Sequence, residues 1–144
     1  NEQLEKQGNI NNIEIKIYGT IEKNGYFRKS TNIEKINFFK LASQSENYFC
    51  VINYYSEYKN NEIQSEDIMI FEKRKEINAN IITGEKNIYI VKFEEEIKIC
   101  KLEDTGDYIL VKDLNISSKT VVLGKNDRYK LKIIGKLEKN IRSY

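Results

Sequence analysis

An all-β domain of about eight strands is the fold class that this sequence predicts, on three observations. Short apolar or alternating segments, rich in Ile, Val, Phe and Tyr, recur along the 144-residue chain and are typical of strands. Clusters of Asn, Asp, Gly and Ser, which favour turns, separate these segments. No apolar stripe of helical period is longer than about ten residues, so no long helix is expected.

The strands follow one another at regular spacing. Residues 1–12 are polar and lack apolar periodicity, and we interpret them as a linker or arm before a domain at 13–144. The first strand is expected where Ile13, Ile15 and Ile17 alternate with polar residues. Residues 94–95 form a tight polar turn between two β-rich segments, which predicts a hairpin. Further strands are expected at residues 48–52, 67–71, 87–93, 96–102, 108–111, 120–123 and 129–134.

Two charged segments are interpreted as solvated turns. Residues 72–76 are a run of charged side chains, which favours a turn over a binding patch. The glutamates Glu94, Glu95 and Glu96 could bind a cation, but a hairpin turn is the interpretation we favour. Gly135 lies inside the last expected strand, where a glycine indicates a bulge or a close backbone approach.

Composition excludes several function classes. The 24 basic and 22 acidic side chains leave a net charge of +2, which gives no electrostatic support for direct nucleic-acid binding. The chain has no histidine, so a Ser-His-Asp triad, a Cys-His dyad and most zinc sites are excluded. Cys50 and Cys100 are expected to be small buried residues, and no metal or other cofactor is expected. No apolar run of about 18 residues and no signal peptide is visible, so a cytoplasmic protein without a membrane partner is expected.

A family resemblance is carried by six segments in order. They are residues 17–21 (IYGTI), 48–51 (YFCV), 63–70 (IQSEDIMI), 96–102 (EIKICKL), 108–111 (YILV) and 132–137 (KIIGKL). Together they resemble the C-terminal, self-cleaving domain of LexA-like and phage CI-like repressors, over about residues 13–142. The resemblance implies a signal-peptidase-like β fold of about eight strands in twisted, partly barrel-like sheets.

The chemistry of that family is only partly present. Its members use a serine in a Gly-x-Ser-Met motif and a lysine that burial keeps neutral, so that it takes the proton of the serine. This chain has no such motif after Val51. Counting forward from Val51 puts Tyr55 at the serine position, and counting back from Asp67 puts Glu57 or Tyr58 there. Ser56 lies between them and would need a loop adjustment.

The position of the lysine is occupied by Cys100. Strand parity places Lys98 on the same face as Cys100, about 7 Å further back along the strand, and Lys101 on the opposite face. The family cleaves at Ala-Gly or Cys-Gly, whereas Lys23, Asn24 and Gly25 stand at the corresponding place. An Asn-Gly pair is typical of a turn. The degenerate dyad region (Ser56, Lys98, Cys100 and Lys101) is therefore expected not to be catalytic.

The resemblance implies a role in assembly. We expect a non-cleaving C-terminal dimerisation and regulatory domain of a bacterial or prophage transcriptional regulator. DNA would bind only through a separate N-terminal helix-turn-helix domain, which is expected to precede this fragment. A homodimer matches a two-fold operator, and we expect Ile133, Ile134, Gly135 and Leu137 at its interface. An antirepressor, a peptide or a small ligand would supply the inducing signal.

Two alternatives stay open. The first is an active Ser-Lys autopeptidase that uses Ser56 with Lys98 or Lys101. The second is a small β-barrel that binds nucleic acid or protein through its lysines and through Tyr54, Tyr55 and Tyr58, because tyrosine rings can stack on bases.

Overall fold

The computed structural model describes residues 12–31, 35–39, 47–59, 61–78 and 87–142. The proposed linker, residues 1–12, lies almost wholly outside them. The strands are β1 (Asn12–Ile21), β2 (Phe27–Lys29), β3 (Lys35–Phe39), β4 (Tyr48–Asn53), β5 (Ile68–Asn78), β6 (Ile88–Phe93), β7 (Glu96–Asp104), β8 (Tyr108–Asp113), β9 (Val121–Gly124) and β10 (Leu131–Ile141). One short 3₁₀ helix, Lys125–Lys130, precedes β10. No described helix is long and apolar enough to cross a membrane.

All ten described strands belong to one mixed sheet, so the expected all-β class is confirmed. The strand order is β2-β1-β4-β5-β10-β6-β7-β8-β9, and β3 also pairs with β1. Every pairing is antiparallel except that of β1 with β4. The sheet curls until β2 lies near β7, but the described strands do not pair there and the sheet stays open. This near approach positions the site described below.

The β6–β7 hairpin has the expected tight turn. Phe93 pairs with Glu96, and the two residues between them, Glu94 and Glu95, have φ values of 50° and 68°. Two successive positive φ values are typical of a type I′ turn, whose twist matches that of the flanking strands. The turn prediction for residues 94–95 is therefore confirmed.

The charge run at residues 72–76 is a strand, not the expected turn. It continues β5, where Glu72 pairs with Lys136 and Lys73 with Gly135. Glu72 and Lys73 are in register with β10, residues 74–76 lie at a shift of that register, and Lys73 and Arg74 are exposed. The prediction failed because charge describes only the side-chain face, whereas the neighbouring strand determines the backbone conformation.

Gly135 lies at a β-bulge, as the sequence predicts. The register of β10 shifts between Ile133 and Gly135 against both β5 and β6. A Cβ atom at Gly135 would lie 2.8 Å from Cζ of Phe49 and 3.1 Å from the carbonyl oxygen of Glu72. Only glycine fits this contact without a shift of its neighbours.

Burial in the single chain describes the expected interface residues, whose role stays a prediction. The first half of β10 pairs with β5 on one edge and β6 on the other. Ile133 and Ile134 are only 6% and 8% exposed, and Gly135 is buried. Leu137 is half-buried against the core cluster that contains Phe49. Ile133, Ile134 and Gly135 therefore present little surface, whereas Leu137 keeps part of its surface, and the interface stays a prediction.

Candidate functional site

A cleft of about 500 Å³ lies where the curled sheet brings three parts of the chain together. One wall is the β1–β2 hairpin, from Asn24 to Lys29. The second is the start of β7, including its turn residue Glu95. The third is Tyr58 with the end of β8 and the segment after it, which contribute Asp113, Asn115, Ser117 and Ser118.

Asn115 organises the third wall. Its backbone N–H donates to Oδ1 of Asp113 at 2.9 Å. Its side-chain Oδ1 accepts hydrogen bonds from the Tyr55 hydroxyl at 3.0 Å and from Ser117 Oγ at 2.7 Å. These bonds fix Asp113 and the loop after β8 relative to the segment that follows β4.

The turn at residues 23–25 is seated against Asn115. Gly25 has a φ of +88°, and a Cβ there would lie 2.3 Å from Nδ2 of Asn115. The N–H of Gly25 donates to the carbonyl oxygen of Glu22 at 2.9 Å, and the N–H of Glu22 donates to that of Tyr26 at 2.9 Å. The turn predicted from the Asn-Gly pair is present, and it forms one wall of the cleft.

Lys98 lies between two carboxylates. Its Nζ is 3.6 Å from Oε2 of Glu96 and 3.6 Å from Oδ2 of Asp113. Asp113 is only 8% exposed, because strand β8 turns this residue inward. Lys98 is therefore placed between carboxylates of β7 and β8, and Ser56 is not among the residues that line this cleft.

The tyrosines do not form one exposed stacking surface. Tyr54 is 39% exposed, but Tyr55 is 4% exposed and Tyr58 is half-buried. The rings of Tyr55 and Tyr58 pack edge to face at 4.9 Å. Burial, followed by the charge of Asp113 and the proximity of Tyr55, raises the pKa of Tyr58. The phenol therefore stays protonated and is a hydrogen-bond donor in the cleft wall.

The residues of the degenerate dyad are scattered. Ser56 is exposed, does not line the cleft and makes no hydrogen bond within the described part of the chain. Lys101 Nζ pairs with Oε1 of Glu62 at 2.9 Å. Cys100 is fully buried in an apolar cluster, and burial, followed by the charge of Asp113, raises its pKa. Of these four residues, only Lys98 shares the cleft with Asn24 and Gly25.

A network of hydrogen bonds holds the segment between β4 and β5. The sequence alone did not fix which residue of this segment corresponds to the serine of the family. The buried side chain of Asn53 donates from Nδ2 to the carbonyl oxygens of Tyr55 at 2.8 Å and Gln64 at 2.9 Å. Asp67 is fully buried and accepts hydrogen bonds from Asn140 at 2.7 Å and Arg142 at 3.1 Å. Burial alone would raise the pKa of Asp67, but these hydrogen bonds lower it overall.

Sequence reasoning missed Asp113 and Asn115. A signal for Asp113 exists, since it follows Ile109 and Val111 at a period of two and must share their buried face. A carboxylate on a buried strand face is rare enough to mark a site. No comparable pattern points to Asn115, whose partners come from distant segments. Among the described residues, no group of three or more His, Cys, Asp or Glu side chains could hold a metal ion.

No family model matches the sequence, and a search of the curated proteins found no significant match.

Proposed function

We propose that this chain is a non-cleaving dimerisation and regulatory domain of a cytoplasmic bacterial or prophage transcriptional regulator. In the full-length protein it would follow a helix-turn-helix domain that binds DNA. The observation that supports a loss of cleavage concerns the base that the resemblance implies. Cys100, which stands at that position by the resemblance, is buried in an apolar cluster, and Lys98 is ion-paired with Asp113.

Two further features support a domain without peptidase activity. Ser56 is exposed and makes no hydrogen bond in the described residues, whereas a serine nucleophile needs a base within about 3 Å. The turn at Asn24 and Gly25 is closed by its own backbone hydrogen bonds and packs against Asn115. Its peptide bonds are thereby held in a turn, whereas a peptidase needs its substrate bond beside the nucleophile.

The test for cleavage is incubation of the purified chain at about pH 10, where a lysine base loses its proton. We expect the intact mass to persist by mass spectrometry over days. Fragments that end at residues 23–25 would support the rival function, an autopeptidase, because Lys98 shares one cleft with Asn24 and Gly25. That rival requires Ser56→Ala, and either Lys98→Ala or Lys101→Ala, to abolish the fragments. The exposed control Lys125→Ala should leave them unchanged.

The test for assembly is sedimentation of the same chain at increasing concentration. We expect a monomer–dimer equilibrium with a dimer at about 100 μM. A chain that stays monomeric at that concentration would remove the dimerisation role but would leave the conclusion on cleavage in place.

A further inference from the structure

Several polar side-chain groups in the cleft have no hydrogen-bond partner among the described residues. Lys98 Nζ carries three N–H donors, and its two carboxylate contacts of 3.6 Å exceed the usual hydrogen-bond range of about 2.7–3.2 Å. The ammonium of Lys98 makes no hydrogen bond within the described residues, and 26% of its side chain is exposed. Its acceptors must therefore come from water or from a ligand in the cleft.

Tyr58 and Asp113, which line the cleft with Lys98, also have polar atoms without a hydrogen-bond partner in the described residues. The hydroxyl of Tyr58 makes no hydrogen bond within the described part of the chain. Oδ1 of Asp113 accepts from Asn115, but Oδ2 has only the long contact with Lys98. A donor, a cation and an acceptor therefore line one cleft whose volume, about 500 Å³, is that of a small-molecule site.

The alternation of charged side chains in the cleft indicates whether its ligand is charged or neutral. The positive charge of Lys98 lies between the negative charges of Glu96 and Asp113, so a simple anion or cation meets repulsion on at least one side. A hydroxyl group is both donor and acceptor and carries no charge, so hydroxyls fit this alternation.

The rim of the cleft offers the other surface that such a ligand needs. Tyr26 is 67% exposed and Phe27 is half-buried, and both line the cleft. An aromatic face packs against the C–H groups of a sugar ring while the hydroxyls reach polar partners. Asn24 and Ser117 supply further uncharged polar groups on the opposing walls.

We propose that the cleft binds a neutral, hydroxyl-rich molecule, a mono- or oligosaccharide, through Lys98, Tyr58 and Asp113. Tyr58 and Lys98 donate to hydroxyl oxygens, Asp113 accepts from a hydroxyl group, and Tyr26 packs against the ring. The proposal rests on the geometry of the cleft and does not depend on a role in transcription.

The experiment is a titration of the ¹⁵N-labelled chain, followed by amide chemical shifts. Maltotriose, cellotriose and N-acetylglucosamine trimer are the neutral probes, each to about 20 mM, a range that detects millimolar affinity. Acetate and glycylglycine are the charged comparisons. We expect saturable shifts at the amides of Lys98, Asp113 and Asn115 with at least one saccharide and none with the charged probes. Cleft shifts with the charged probes alone, or with no probe, would overturn the proposal.

Two variants test the contacts themselves. Tyr58→Phe removes one hydroxyl and Lys98→Met removes the ammonium. Each should weaken saccharide binding roughly five- to tenfold, the effect of one lost hydrogen bond. The control Tyr129→Phe alters a tyrosine that is 60% exposed outside the cleft and should bind like the unmodified chain. The same spectra report whether each variant is folded. Unchanged affinity in both folded cleft variants would show that the shifts arise elsewhere.

Discussion

The single residue Asn115 contacts three separate parts of the chain. Its backbone binds the carboxylate of Asp113, its side chain accepts from Tyr55, and its amide nitrogen packs against Gly25. These partners are up to 90 positions apart in the sequence, as the numbers 25 and 115 show. A residue of this kind determines the shape of the cleft even though its neighbours along the chain give no sign of it.

At the same scale, both cysteines are structural. Cys50 and Cys100 are fully buried and free. Burial raises the pKa of Cys50 to about 12 and raises that of Cys100 as well, so neither forms an appreciable thiolate near neutral pH.

We therefore predict slow reaction with a thiol reagent at about pH 8. The folded chain should react at least about a hundredfold more slowly than the chain in urea, because access requires opening of the core. The rate is followed by absorbance, and the single variants Cys50→Ala and Cys100→Ala assign each thiol. One thiol that reacts in the folded chain as fast as in urea would identify a reactive cysteine instead.

At the scale of elements, strand β10 bends where its glycine meets an aromatic ring. The bulge at Gly135 lets Phe49 pack against the backbone of β10. Phe49 also stacks on Phe71 with ring centroids 5.5 Å apart, so the bulge is part of the packing of the core.

Gly135→Ala should destabilise the fold by about 1–3 kcal/mol, because the added methyl group overlaps with the ring of Phe49. Gly124→Ala is the matched control, since a Cβ at Gly124 meets nothing within 4 Å. The control should change the free energy of unfolding, measured in urea, by less than about 0.5 kcal/mol. Equal effects of the two substitutions would contradict the close approach at the bulge.

The β1–β2 turn allows a similar comparison between two glycines that both have positive φ. Gly25 has φ +88° and Gly106 has φ +95°, but only Gly25 has a close neighbour, Asn115. Both alanine variants should lose about 1 kcal/mol from backbone strain. Gly25→Ala should lose a further 1–2 kcal/mol or so from the contact with Asn115. Thermal unfolding of the two variants in parallel measures the difference, and a difference near zero would mean that the turn is not seated on Asn115.

At the scale of the whole molecule, hydrogen bonds and an ion pair connect the end of β10 to Asp67, which precedes β5. Arg142 donates from Nε and Nη2 to the carboxylate of Asp67, each at 3.1 Å, and Asn140 donates to the same carboxylate at 2.7 Å. The backbone carbonyl of Asp67 also accepts from the N–H of Asn53 at 2.9 Å. The side chain of Asn53 in turn binds the carbonyl oxygens of Tyr55 and Gln64. These contacts together position the segment that carries Tyr55 and Tyr58 at the site.

The buried carboxylate makes the stability of the fold depend on pH. The pKa of Asp67 in the folded chain lies below its ordinary value of 3.8. A lowered pKa stabilises the fold above pH 3.8, and this contribution is lost as the pH falls below that value. Because Arg142 is one-third exposed, solvent weakens the pair.

We expect Asp67→Asn to lower the free energy of unfolding by about 2 kcal/mol near pH 7. The difference from the unmodified chain should shrink as the pH falls from 3.8 through the lowered pKa of Asp67, because Asp67 becomes neutral in the folded chain only below that pKa. Urea unfolding at pH 7 and pH 3 provides the two values, with the exposed turn residue Asp107→Asn as the control. A difference that is the same at both pH values would show that the charge of Asp67 is not what stabilises the fold.

Features that depend on adjacent residues could be predicted from the sequence, whereas features that depend on distant contacts could not. The all-β class, the β6–β7 hairpin, the turn at Asn24 and Gly25 and the bulge at Gly135 were predictable, because each depends on side-chain alternation or on the backbone preference of a few adjacent residues. The strand at residues 72–76 was not predictable, because the partners of its first residues, in β10 and β4, are distant in the sequence. The isolation of Ser56 and the placement of Ile133 and Ile134 in the interior likewise depend on strand order.

The sequence by itself determined the class of the fold and the absence of histidine from the chain. It could do so because composition and local conformation are properties of residues close together in the chain. Only the tertiary structure decided that Lys98, Tyr58, Asp113 and the turn at Gly25 meet in one cleft. Their meeting depends on the curl that brings β2 near β7, and this curl is a sum of strand twists and pairings over the whole sheet.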